Sequence, residues 1–380
     1  MGLIKEELDS SNRQLGSGWL SGVVGVFLAA IGLAAVLCIC YPQLLTVADS
    51  REYYNMTVIR LSLHVVLVTA FMLGIVSVVL REQKILGFIA LTLVMIASLM
   101  GGSQASMRAD FASDYYLGLD FFVLNVIFLG AVFVPIERIF KKNDQAILRY
   151  EWREDLLYFF VSTLFVQGLT FLSLAPSLAI LAKTSWATGI REAIAGQPIV
   201  LQFLEIMFLT DLVQYWVHRI FHQNSRLWKF HAVHHSAQAM DWLAGSRMHV
   251  LEVIILRAFT TMPMYVLGYA ESALYAYIFF VYILSVFIHS NINIPTGFLK
   301  YVIATPRFHH WHHGIEKEAI DVNFAIHFPV IDMMFGTFHM PGDRWPQGYG
   351  IHGHPVPKGF ISQFFYPFKS DGGQENTQNE

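Results

Sequence analysis

Runs of roughly twenty apolar residues recur along this 380-residue chain, and they restrict its possible folds more than any other feature. A helix needs about 20 residues to cross a ~30 Å hydrocarbon core, and in lipid every backbone polar group must be satisfied inside its own helix or barrel. Such runs read as spans at Trp19–Tyr41, Thr57–Leu80, Ile85–Met100, Leu119–Ile136, Leu156–Leu181 and Ile199–Val217. A further apolar stretch, Val250–Ile288, is long enough for two helices with a break at Gly268-Tyr269-Ala270-Glu271. The pattern predicts an all-α, polytopic membrane protein with about six to eight crossings. Composition agrees, with 55% hydrophobic and 14% charged residues, where soluble domains carry about 25% charged. The first span is too long for the 7–15-residue core of a signal peptide and follows an acidic polar stretch, so it is expected to remain in the mature protein.

Orientation follows from Lys and Arg at the span ends. With the N-terminus inside, the inner loops carry Lys5, Arg13, Arg81, Lys84, Arg138, Lys141, Lys142, Arg149 and Arg153, and the outer ones only Arg51, Arg108, Lys183 and Arg191. This nine-to-four bias puts the segments after Val217 and after Ile288 on the cytoplasmic side. Three regions are expected: an appended membrane unit of about four spans at 1–145, a catalytic domain at 146–368, and a low-hydrophobicity, disordered tail at 369–380. A net charge of -3 without a basic patch speaks against nucleic acid as a partner. Cys38 and Cys40, both in the first span, exclude a disulfide framework or thiolate metal site.

Fifteen of the sixteen histidines lie between His218 and His354. They include His218-Arg-Ile-Phe-His222, His231-Ala-Val-His234-His235, a separate His289, and His309-His310-Trp311-His312-His313. Histidines at i, i+3 and i+4 share one helix face, and neutral imidazole is a ligand for iron, zinc, copper and nickel. Asp211, Gln214 and Tyr215 extend the first box's polar face back along its helix, and Thr305-Pro306 reads as the start of the helix carrying the third. The boxes offer more imidazoles than the roughly four to six positions of one metal, so two metals are implied. The residue types alone leave iron and zinc open.

With their flanks, these motifs resemble the fatty acid hydroxylase/sterol desaturase superfamily: Asp211 to His222, Leu227 to Ser236, Arg247-Met-His249-Val-Leu-Glu252, His289-Ser-Asn291, Thr305 to His313, Asn323-Phe-Ala and Asp332 to Thr337. The match covers roughly residues 155–345. The resemblance implies a membrane-embedded, non-haem di-iron oxygenase that uses O2 and two electrons to hydroxylate or desaturate a C–H bond of a sterol, acyl or ether lipid. It implies His218, His222, His231, His234, His235, His289, His309, His312 and His313 as iron ligands, with His310 as a non-ligating spacer. Other members can carry a histidine where this chain has Asn293, so Asn293 and His249 are possible further ligands or orienting groups. Asp211, Glu252 and Asp332 are candidate acceptors for ligand N–H groups, with helix-end solvation or pairing to Arg247 or Arg307 as the simpler reading. No haem-binding segment of the cytochrome b5 kind is visible in the sequence, so electrons must come from a separate reductase, ferredoxin or cytochrome b5-type protein.

A histidine-rich transition-metal transporter is the rival reading. Transporters place ligands near the bilayer midplane, whereas these boxes fall past the span ends beside Arg219, Lys229, Lys300 and Arg307. His64, one turn after Arg60 inside a span, is expected to make a structural contact. His327, His339, His352 and His354 are expected to be solvent or fold contacts, and Tyr275–Phe287 a lipid-facing helix.

Overall fold

The structure, a computed structural model, describes residues 16–108, 115–353 and 355–369. The N-terminal polar stretch, His354 and all but the first residue of the expected 369–380 tail lie outside them. The described residues form helices and loops without β-strands. The principal helices are α1 (Trp19–Cys40), α2 (Met56–Leu80), α3 (Ile85–Leu99), α4 (Leu119–Ile139), α5 (Trp152–Leu164), α6 (Val166–Lys183), α7 (Ile199–Gln223), α8 (Ser225–His235), α9 (Val250–Val266), α10 (Glu271–His289), α11 (Pro306–His312) and α12 (Pro329–Phe335). Seven are long and apolar enough to cross a membrane: α1, α2, α3 with the turn after it, α4, α6, α7 and α10. This is the polytopic all-α architecture expected. α9, at 17 residues, is slightly shorter than these.

The chain divides into two compact units, residues 1–127 with 163–167, and 128–162 with 168–380. In the first, α1, α2 and α3 pack through small residues, because between apolar helices in lipid close backbone approach supplies the van der Waals contact. A Cβ on Gly87 of α3 would fall 2.7 Å from the carbonyl oxygen of Gly74 on α2. Arg60, on α2, donates to the carbonyls of Ser103 (2.7 Å) and Ala105 (2.8 Å), and His64 lies 3.4 Å from the Ser103 hydroxyl. Both therefore satisfy the end of a neighbouring segment, the structural role expected of His64.

The single span expected at Leu156–Leu181 is instead two helices, α5 and α6, separated at Phe165. The Leu164 carbonyl accepts from the Gly118 N–H at 2.9 Å, and the Gln167 side chain accepts from Tyr116 N–H at 2.8 Å. The first of these bonds diverts a carbonyl that a continuous helix would use internally.

In the second unit, α7 packs against α9 and α10. At 25 residues α7 continues past the apolar run, so one rigid helix carries Asp211, His218 and His222. Asn224 caps α8 by accepting from the N–H groups of Arg226 and Leu227 (3.0 and 3.1 Å). Thr305 caps α11, with Pro306 at its first position. The charged segment after α4 is a strap: Lys142 N–H donates to the Asn291 carbonyl (3.0 Å), and Asn143 and Asn291 exchange two further bonds. Glu137 closes the arrangement by accepting from the N–H groups of Trp242 (2.7 Å) and Asn291 (2.9 Å). The stretch that follows His289 is thereby anchored on both sides.

Candidate metal centre

All three boxes sit on helix ends, and His289 is the last residue of α10. Their rings gather into two groups. His218, His222, His231, His235 and His312 form one; His234, His289, His309 and His313 form the other; within each, one ring nitrogen per residue lies within 4.8 Å of the rest. These are the nine histidines singled out in the sequence. Neighbours His234 and His235 serve opposite groups, as do His312 and His313, because successive residues point about 100° apart around a helix. The groups abut: the rings of His235 and His313 stack with centroids 4.4 Å apart, and those of His309 and His312 at 5.3 Å.

The hydrogen bonds decide which nitrogen faces inward. In the five-histidine group, Nδ1–H donates to the Phe324 carbonyl from His218 (2.8 Å), to the Glu252 carboxylate from His231 (2.5 Å), and to the Val322 carbonyl from His312 (2.8 Å). In the four-histidine group, His234 donates to the Arg247 carbonyl (3.0 Å) and His289 to the Ser285 carbonyl (2.6 Å). A carbonyl oxygen can only accept, so on His218, His312, His234 and His289 the proton is on Nδ1 and Nε2 holds a lone pair; the same holds for His231 while Glu252 is ionised. Yet His218 and His231 bring their Nε2 atoms to 2.9 Å, and His234 and His289 theirs to 3.3 Å. Paired lone pairs at that distance repel unless a cation lies between them. Buried Nε2 atoms of His222 and His312 also have no hydrogen-bond partner.

The imidazoles of His231, His234, His235, His309, His312 and His313 are pushed well below their usual pKa, first by burial and then by neighbouring rings. They are neutral at pH 7, the form that ligates. A set of neutral imidazoles with no carboxylate among the inward atoms suits a transition metal and not magnesium or calcium. The residues present thus fit two such ions, one per group.

The surrounding shell was only partly legible in the sequence. Glu252 is fully buried and touches a ligand-type ring directly. Asp211 and Asp332 act one step further out. Asp211 accepts from the N–H groups of Ile326 (2.8 Å) and Phe328 (2.7 Å), and Asp332 from Phe324 (2.7 Å), Ala325 (2.9 Å) and the Thr337 hydroxyl (2.7 Å). Together they hold the loop whose Phe324 carbonyl orients His218. Burial raises the Asp332 carboxyl to about 6 against these bonds. His249 lies outside both groups: its Nδ1 accepts from Leu251 N–H (3.2 Å), capping α9, and its Nε2–H donates to the Phe364 carbonyl (3.0 Å). Asn293 is exposed. His310 is buried between the Tyr349 hydroxyl (2.8 Å) and the His289 carbonyl (3.2 Å), with both nitrogens engaged.

One supporting network was missed. Arg247, whose carbonyl orients His234, is fully buried and its guanidinium binds Asp155 and Glu151, while Arg149 binds Asp155 (2.5 Å) and Asp241 (2.7 Å). Burial alone would weaken the charge on Arg247, but Asp155 and Glu151 outweigh it and raise its pKa. The available signal was an acid, Asp155, heading an apolar run. Arg307 pairs instead with Asp343 at 2.9 Å.

The family model for fatty acid hydroxylase matches residues 203–337, the segment that carries every box. Over 179 residues the chain is 31% identical to the ornithine lipid hydroxylase OlsE of Rhizobium tropici, covering 47% of this chain and 54% of that protein. It is 29% identical over 153 residues to the human alkylglycerol monooxygenase, covering 38% and 32% of the two chains. With methylsterol monooxygenase 1-2 of Arabidopsis thaliana the identity is 26% over 241 residues, covering 59% and 79%. The chain thus spans about half the length of the first of these relatives and about a third of the second. No solved structure matches it. On its boxes and on these likenesses, the chain is similar to the fatty acid hydroxylase/sterol desaturase superfamily through residues 203–337.

Proposed function

We propose that this protein is a membrane-bound, iron-dependent lipid oxygenase in which His218, His222, His231, His235 and His312 hold one iron and His234, His289, His309 and His313 hold the other. The observation that carries this reading is the pair of abutting histidine groups whose Nε2 lone pairs converge. Five imidazoles exceed the four positions of a tetrahedral zinc site, which favours iron in the first group. The named relatives hydroxylate or monooxygenate lipids.

Bound iron supplies the redox chemistry, in which a lipid C–H bond, O2, two electrons and two protons give an alcohol and water. The chain's own part is to hold that chemistry in place. Glu252 and the carbonyls of Phe324, Val322, Arg247 and Ser285 fix five rings by their Nδ1–H groups, so that few motions remain to be frozen at each reaction. The centre is buried, which keeps bulk water away from a reactive oxidant. Hydroxylation is the favoured outcome over desaturation, and the two electrons come from a separate donor protein. With the N-terminus inside, a crossing by each of α9 and α10 would return the third box to the cytoplasmic side with the first two.

Comparative lipid mass spectrometry of cells expressing the protein and its His312→Ala variant tests this reading. A mass gain of one oxygen, or loss of two hydrogens, in one lipid class of the active strain alone is expected. An unchanged lipidome with both irons in place would overturn it.

A further inference from the structure

A groove of about 790 Å³ is lined by residues of α10, of α11 and of the segment between them. Its lining includes the apolar Phe287, Ile292, Phe298 and Tyr301 and the basic Lys300 and Arg307. These two side chains are only 19% and 15% exposed, and both face a single carboxylate, Asp343, which is 90% exposed. Arg307 meets it at 2.9 Å and Lys300 at 4.0 Å. Two sheltered cations thus share one solvent-facing acid, leaving the end of the groove positive. Its apolar lining is open to the surface, Phe298 being 73% and Tyr301 47% exposed, and the neighbouring Leu299 and Val302 are exposed as well. The segment follows directly after a candidate membrane span, α10.

Aromatic and aliphatic side chains turned outward beside partly buried Lys and Arg are the signature of a surface at the headgroup level of a bilayer. An arginine fork and a lysine together match the oxygens of a phosphate or carboxylate, and the volume lies in the range of sites that hold a whole small ligand. We infer that this groove binds a membrane lipid by an anionic headgroup, the oxyanion between Lys300 and Arg307 and the first part of a chain along Phe287 and Phe298. Arg307 and His309 share α11, and Phe287 and His289 share the last turn of α10, so the lipid is held against the elements that build the four-histidine group. The inference rests on the oxygenase reading only in taking that lipid as substrate.

Native mass spectrometry of the full chain in detergent, offered phosphatidylglycerol, diacylglycerol with the same acyl chains, or glycerol phosphate, tests it without turnover. Phosphatidylglycerol should be retained about 25-fold more than diacylglycerol, since each of the two basic residues near a headgroup contributes roughly a factor of five. Glycerol phosphate alone should not be retained. The K300Q/R307Q variant should bring phosphatidylglycerol down to the diacylglycerol level, and D343N should leave retention unchanged or raise it. If the double variant does not fold, K300Q alone decides, with an expected loss of about fivefold. Equal retention of the charged and uncharged lipids, equal retention of glycerol phosphate, or indifference to the lysine and arginine changes would overturn the groove assignment. Charge-selective binding by a protein that oxidises no lipid would leave the groove standing and defeat the oxygenase reading; charge-blind binding by an active enzyme would do the reverse.

Discussion

The two histidine groups are neighbours of the same chemistry, but they are braced differently. In the five-histidine group, His218, His231 and His312 have their Nδ1–H groups bonded to two carbonyls and a buried carboxylate, and His222 Nδ1 lies 3.3 Å from Asp321. In the four-histidine group only His234 and His289 have such partners; the buried Nδ1 atoms of His309 and His313 have none. An unbraced ring is free to turn about its side-chain bonds, and its nitrogen is a weaker base. The difference teaches that the groups should hold metal unequally, with the four-histidine ion the more exchangeable.

The largest effect should come from removing a ligand on either side. His312→Ala and His309→Ala are both expected to abolish lipid oxidation, since the reaction would need an ion held in each group. Product formation in purified, reductant-supplied protein checks this; full activity in one variant would show that only the other group reacts.

Glu252→Gln should act on one group alone. Losing the carboxylate partner of His231 is expected to weaken metal retention by about 10–100-fold in the five-histidine group. Chelator-driven metal loss from the wild type should then be biphasic, and the substitution should accelerate only its slow phase. Equal acceleration of both phases would break the comparison.

Acid should separate the groups more gently. The six imidazoles outside the spans are held well below their usual pKa in the folded chain, whereas in the unfolded chain they titrate near about 6.5. Their stabilising contribution is therefore complete above about 6.5 and is lost as pH falls, because the unfolded chain takes up protons first. Protons also compete with metal for Nε2. Tm and metal content should fall together below about pH 6, the four-histidine ion leaving first; metal retention that rises with acidity would contradict this.

The smallest effect concerns His310→Ala. It leaves the His289 carbonyl and the Tyr349 hydroxyl without their buried partner, which costs about 1–3 kcal/mol. Thermal unfolding should register that loss while metal content stays at the wild-type level.

Much of this was legible in the sequence because it is local. Spacings of four on a helix place His218 with His222, His231 with His235 and His309 with His313, and an apolar run marks the helix that carries the first of these pairs. The partition into five and four was not, since it depends on which helix ends meet: His234 finds His289 across 55 positions, and His218 meets His231 across a turn. The Arg149–Asp241 and Arg247–Asp155 pairs bridge 92 positions each, so no window of sequence contains them. The break at Phe165 likewise depends on a distant amide, that of Gly118.

Metal analysis of the purified full-length protein and of its His312→Ala and His309→Ala variants tests the central claim most directly. Two irons per chain in the wild type and one in each variant are expected, the one left in His309→Ala being the slowly released ion. A single metal per chain in the wild type, or loss of both ions from each variant with the fold intact, would contradict the assignment of two separately built sites.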